Sequence, residues 1–270
     1  LGHGISFKNK KALHSSKNRN NPIPNFELRH SQHLCTPSTN NIMDNVRCPH
    51  EESMTVQTGT SAARSTYRHG DLRRALLDAG IALARTGGPD AVVLREATRQ
   101  AGVVPNAAYR HFASRQDLLL AVRAHALSAL AIAMESEIAQ LRDDEQSTEF
   151  ARGSLRAVGI GYLTFAHAEP GLFRTAFSAP LNGEPEPDPA WAGNSGLNPF
   201  QLLSAALDRM AKAGLLLGER RRDAEYLAWS AVHGLAVLVT DGPLWTLNDE
   251  QRLAIGQRLV DMVEKGLSSK

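Results

Sequence analysis

Cysteine is almost missing from this chain of 270 residues: only Cys35 and Cys48 occur, and none follows them. That excludes a disulfide framework and a thiolate nucleophile from everything after residue 48. The sequence also lacks an HExxH pair, a G-x-S-x-G elbow and a glycine-rich phosphate loop, so the commonest signatures of zinc peptidases, hydrolases and nucleotide enzymes are absent. Carboxylate pairs such as Glu135 with Glu137 and Asp143 with Asp144 fall near helix ends among solvated neighbours and need no acid/base role. The expectation is therefore a protein that is not an enzyme, with no cofactor, no catalytic residue and no metal. No run approaches the roughly 18 uninterrupted apolar residues of a membrane span. The opening LGHGISFKNKKALHSS lacks the apolar stretch of a secretory signal, so no membrane partner is expected and the cytoplasm is the expected compartment. Strand alternation, hairpin signals and internal repeats are missing too, which leaves an all-α architecture.

What the chain does have is an uneven distribution of charge. Residues 61–125 carry ten arginines against five carboxylates, a net of +5, whereas residues 126–270 carry thirteen bases against nineteen acids, a net of −6. Such asymmetry fits one module that meets a polyanion and another that does not. Residues 1–60 are rich in Asn, Ser, His, Lys and Pro, too polar to offset ordering entropy, and read as a disordered tail. Met43 and Met54 stand just ahead of the first periodic segment, and whether residues 1–53 belong to the native protein is left open. Five of the ten histidines (3, 14, 30, 33, 50) lie there at irregular spacings that do not make a metal site.

Three domains are expected: the tail 1–60, a helix-turn-helix unit 61–123, and a helical ligand-binding and dimerisation domain 124–270. Leu72, Ala75, Leu76, Ala79, Leu83 and Ala84 keep one helical face until Gly87-Gly88-Pro89 stops it. Leu94, Ala97 and Ala101 make a second short helix closed by Gly102, and Pro105 opens a third that runs to about Phe112. Ser114 with Asp117 caps a long helix over 115–141. Further helices are predicted over 149–168, 171–178, 199–213, 221–241 and 248–267, and the Pro/Gly-rich stretch 179–198 reads as a mobile surface loop.

Two short helices around Ala101-Gly102-Val103 form the kind of tight corner that presents a second helix to a major groove. At 100° per residue, Pro105, Ala108 and Phe112 share a core side. Asn106, Ala107 and Arg110 then face outward, suited to adenine, a thymine methyl and guanine respectively. Tyr109 and His111 flank them with groups that can reach phosphates, and Arg95, Arg99 and Arg115 add positive charge nearby. A solvated basic face on a small helical subdomain would give the same spacing.

The stretch YRHGDLRRALLDAGIALARTGG followed by LREATRQAGVVPNAAYRHFASRQDLLLAV, about residues 67–123, resembles the DNA-binding domain of the tetracycline-repressor (TetR) family. The resemblance implies phosphate contacts from Tyr109, His111 and Arg115, base reading by Asn106 and Arg110, and a homodimer on palindromic double-stranded operator DNA. Val104 departs from the family, which commonly has Ser or Thr there as the cap of the recognition helix. Arg64 and Arg68, just before the first helix, belong either to a merely disordered arm or to a basic arm that reaches an adjacent groove.

In the C-terminal half, residues 221–241 are apolar nearly all round, the mark of a helix buried on more than one side. Trp229, His233 and Gly234 form a W-x3-HG element that resembles the C-terminal domain of a TetR subgroup named for its Trp-His-Gly motif. The family implies dimerisation through the last two long helices, with Gly256, Leu259, Val260, Val263 and Leu267 as a suitable stripe. Tyr162, Phe165, Phe173, Phe177, Trp229 and His233 are candidates to line a pocket for a small, largely apolar effector, with Gly161 as a small wall residue. Aromatics at helical spacing are equally the ordinary content of a core. The expected function is a transcriptional repressor released from its operator by that effector. The alternatives are a helical enzyme or small-molecule binder with an incidental basic face, and a DNA-binding protein without sensing.

Overall fold

The longer helices that begin at Arg115, Thr148 and Pro199 start at short polar side chains placed where free backbone N–H groups need partners. The Ser114 hydroxyl accepts from the Asp117 amide and the Asp117 carboxylate accepts from the Ser114 amide, both at 3.1 Å. Asn198 and Gln201 repeat this reciprocal box at 2.9 Å, with Pro199 in the first turn. A computed structural model describes residues 69–178 and 188–268; the expectations for the tail, for Arg64 and Arg68 and for 179–187 lie outside the described residues. The helices are α1 (His69–Ala91), α2 (Leu94–Gln100), α3 (Pro105–Ala108), α4 (Arg115–Ile138), α5 (Thr148–Ala168), α6 (Pro170–Ala176), α7 (Pro199–Lys212), α8 (Gly218–Arg221), α9 (Ala224–Thr240) and α10 (Asp249–Ser268). No strand occurs among the described residues.

Four sequence expectations are corrected. Gly88 leaves helical geometry at φ 69°, ψ −162°, but a further turn through Pro89 carries α1 to Ala91. The third helix closes at Ala108, after which the Ala108 carbonyl accepts from both His111 and Phe112 amides at 2.9 Å, so the chain continues as turns. The stretch 221–241 is broken by Asp223, at left-handed φ 60°, into α8 and α9. Residues 188–198 are not a free loop. A 3₁₀ turn, Pro189–Trp191, is capped by Asp188; the Ala192 carbonyl accepts from Ser128 Oγ at 2.7 Å; Glu135 accepts from the Asn194 and Ser195 amides at 2.8 and 2.9 Å.

The core is continuous. At the N-terminal end α1, α2 and α3 close over the start of α4 around Leu76, Val92, Ala97, Ala108, Phe112 and Leu118, all essentially buried. Beyond it α5 is the hub, packed against α4, α6, α7, α9 and α10. Gly161 explains how closely α4 approaches α5, since a Cβ there would lie 2.6 Å from Met134 Cα. Gly171 does the same for α6 and α1, where a Cβ would stand 2.2 Å from the Ala84 carbonyl oxygen. On α10 the buried Glu264 carboxylate sits between Arg152 and Arg156 of α5, the latter at 2.7 Å. α4 is by length and composition apolar enough to cross a bilayer, but half of its most apolar window is buried inside the bundle, which is the position of a core helix.

Candidate functional site

Two regions of the described chain have the residues to do something. The first is the corner between α2 and α3. Gly102 adopts φ 67°, the Val103 amide reaches back to the Thr98 carbonyl at 3.0 Å, and the Gly102 amide to that of Arg99 at 3.3 Å. This is the Schellman closure, and its left-handed residue is the reason glycine stands there. The corner turns α3 so that Ala108 and Phe112 are buried, with Arg73 over the Phe112 ring at 5.1 Å. Asn106, Tyr109 and Arg110 are exposed on the opposite side, and Ala107 and His111 are half-buried at its margins. Pro105, expected in the core, is exposed because it begins the helix rather than packing under it. Val104 takes the N-cap position with no side-chain bond, as its chemistry requires.

The arginines around the corner divide. Arg95 is exposed at the start of α2. Arg99 is held by Glu96 of its own helix at 3.0–3.1 Å, which offsets its charge. Arg115 donates to the Val92 and Pro89 carbonyls at 2.8 and 2.7 Å and so fastens α4 to the end of α1.

The second region is a cavity of about 590 Å³, open to solvent, lined by residues of α4, α5, α7, α9 and α10 with Trp191 at its wall. Its size is in the range of small-molecule sites. Four expected residues, Tyr162, Phe177, Trp229 and His233, line it. Phe173 and Phe165 do not: Phe173 stacks behind, 5.6 Å from the His233 ring, and Phe165 is buried in the α5 core. Gly161 is not on the wall either; Gly159 is, against Val260.

Within the wall, the Tyr162 hydroxyl lies 2.7 Å from His233 Nδ1 and accepts from Trp229 Nε1 at 3.2 Å. Burial pushes the Tyr162 phenol up and the His233 imidazole down in pKa, both toward neutrality. Sequence reasoning missed Arg123, 8% exposed, which lines the cavity, donates to the Ala176 carbonyl at 3.0 Å and lies over the Trp191 ring at 5.2 Å. A signal was present, since Leu119, Arg123 and Leu127 fall at i, i+4 and i+8, an arginine inside an apolar stripe. Trp191 and Phe200 had no comparable signal.

A helix-turn-helix presented by one end of a helical bundle that holds a cavity is the build of a ligand-responsive DNA-binding regulator. Family comparison agrees: residues 76–122 match the family described as bacterial regulatory proteins, tetR family, and residues 155–263 match a tetracyclin repressor-like C-terminal domain. The chain belongs to the TetR family and is a DNA-binding transcriptional regulator with a ligand-binding C-terminal domain. No curated protein matches it. Among solved structures it is similar to a protein of unknown function from Rhodococcus sp. RHA1, 24% identical with a TM-score of 0.61, covering 76% of this chain and 100% of that one. It is also similar to the TetR-family regulator PfmR of Thermus thermophilus (19%, 0.50, 71% and 98%) and to FadR of Bacillus subtilis, solved with stearoyl-CoA (16%, 0.50, 72% and 98%). At these identities the structures establish the fold.

Proposed function

We propose that residues 61–123 read operator DNA and residues 124–270 dimerise and sense an effector, whose binding releases a repressor from its site. The exposed row Asn106, Tyr109 and Arg110 opposite buried Ala108 and Phe112 carries this reading. Asn106 and Arg110, with Ala107, face base edges; Tyr109, His111, Arg95 and Arg115 meet phosphates. The protein works by binding and not by catalysis, in the cytoplasm where its operator lies, and the W-x3-HG element supports a reading of it as a member of the Trp-His-Gly subgroup.

Dimerisation runs through α9 and α10. Leu227, Gly234 and Leu238 form one stripe on α9, where a Cβ on Gly234 would meet nothing within 4 Å, and Leu227 and Leu238 are exposed. On α10 the stripe is Ile255, Leu259 and Met262. Of the stripe expected from sequence, Leu259 stays on this face, whereas Gly256, Val260 and Leu267 are buried inward and Val263 lines the cavity, because α10 turns that face to α5.

The test is footprinting and fluorescence anisotropy on the DNA flanking the protein's own gene. A two-fold protected site is expected. Arg110→Ala should cost about 1–3 kcal/mol at one base-pair position of each half-site, whereas Tyr109→Phe should weaken all sequences alike. A uniform loss on Arg110→Ala would show that the groove-facing side is misassigned.

A further inference from the structure

The hydrogen-bond chain in the cavity wall constrains what the cavity accepts. Tyr162 is 4% exposed, and among the described residues its hydroxyl has two partners, Trp229 Nε1 at 3.2 Å and His233 Nδ1 at 2.7 Å. An indole N–H only donates, so the phenol oxygen accepts from Trp229. The phenol hydrogen must then go to an acceptor, because a buried hydroxyl rarely leaves its donor unused, and among the described residues His233 Nδ1 is the acceptor in reach. Nδ1 therefore presents a lone pair, and a neutral imidazole in that state carries its hydrogen on Nε2. A second proton on the ring would set a donor against the Tyr162 hydrogen and strand it.

His233 lines the cavity, and its Nε2 neither bonds to a described residue nor is among the enclosed atoms that lack a partner. The remaining wall is largely apolar: Arg123 can only donate, the Asn198 side-chain oxygen is engaged by the Gln201 amide at 2.9 Å, and the Ser230 hydroxyl can donate as well as accept. No Asp or Glu lines the cavity among the described residues. Phe177 at 4.8 Å, Phe173 and Trp229 surround the imidazole itself, so these rings box a side chain already in place and leave no empty cage for an ammonium group.

Resting on the reading of this cavity as the effector site, we infer that Trp229 and Tyr162 are positioning residues that hold His233 as an Nε2–H donor, and that the effector is an apolar, non-cationic molecule with a carbonyl-type acceptor oxygen. A donor of this kind distinguishes an ester or ketone from the matching hydrocarbon by about tenfold, the size of one net hydrogen bond. Octane, methyl heptanoate and heptyltrimethylammonium, titrated calorimetrically into the full chain, separate the possibilities. Methyl heptanoate should bind roughly tenfold more tightly than octane, and the ammonium ion more weakly than either. His233→Phe should reverse the ester-to-octane ratio in favour of octane, because the ester oxygen then gives up its water partner without a replacement. Tyr162→Phe should lower that ratio and change the imidazole nitrogen chemical shifts from the Nε2–H pattern to a tautomer mixture, neither of which follows from a packing loss that weakens both probes alike. Equal affinity for ester and octane in the unaltered protein overturns the donor but leaves the cavity reading standing. Preference for the ammonium ion also overturns it, and failure of all three probes to bind overturns both readings.

Discussion

Glu225 shows how a single side chain is set by its neighbours. Its carboxylate accepts from Arg221 Nη1 and from Ser204 Oγ, each at 2.8 Å, while Arg221 also grips Asp208 at 2.8 Å. The Arg221 hydrogen bond, more than any other contact, draws the carboxyl from an ordinary 4.5 down to about 2. A depressed carboxyl favours folding above its unfolded pKa, and that contribution disappears as acid protonates it in the native state. The melting temperature should thus fall between pH 4.5 and about 2, and less steeply in Glu225→Gln, with the two proteins converging at the acid end. Parallel curves for the two proteins across that window would refute the assignment. At this scale the sequence was informative where one periodicity decided the outcome. The outward Asn106, Tyr109 and Arg110 follow from 100° per residue once Ala108 and Phe112 are taken as core. It was silent where a residue depends on distant chain: Trp191 becomes a cavity wall only because Ser128 and Glu135 of α4 tie down residues 192–195.

Elements were legible through their ends. Ser114 with Asp117, Asn198 with Gln201, and Gly102 all act locally, and each bond they form lies within five residues of its partner. The break at Asp223 was not legible, because Asp visits the left-handed region more readily than most residues but at few of its positions, and surrounding packing selects which. Close helix approaches were hidden for the same reason: nothing local to Gly171 says that Ala84 and Arg85 lie against it. That contact is reinforced by Arg85 donating to Glu169 at 3.1–3.2 Å, so α6 cannot easily shift away from α1. Gly171→Ala should lose about 1–3 kcal/mol, the usual cost of overfilling a tight contact. Gly218→Ala, where a Cβ meets nothing within 4 Å, should be neutral or gain up to about 1 kcal/mol through the unfolded state. Chemical denaturation compares them directly, and equal stability of the two variants would mean that α1 and α6 are not held at this spacing.

The molecule as a whole joins its two candidate sites through α4. Its first turn follows the DNA-facing corner, Arg115 fastens it to the end of α1, and further along Arg123, Leu127 and Met134 form part of the cavity wall. A ligand that displaces those residues must therefore move, or resist the movement of, the helix that carries the corner. The displacement matters only if the ligand binds the DNA-competent and DNA-incompetent arrangements with different affinity. Coupling of this kind is usually worth about 1–3 kcal/mol, and it is reciprocal. If saturating ligand weakens operator binding by a given factor, saturating operator duplex must weaken ligand binding by the same factor. Both can be measured on one preparation, operator affinity by anisotropy with and without ligand, ligand affinity by calorimetry with and without duplex. Equal factors place the coupling in the folded dimer. A ligand that releases DNA while its own affinity is indifferent to the duplex would be acting by another route, such as unfolding or aggregating the protein, and the path through α4 would have to be given up.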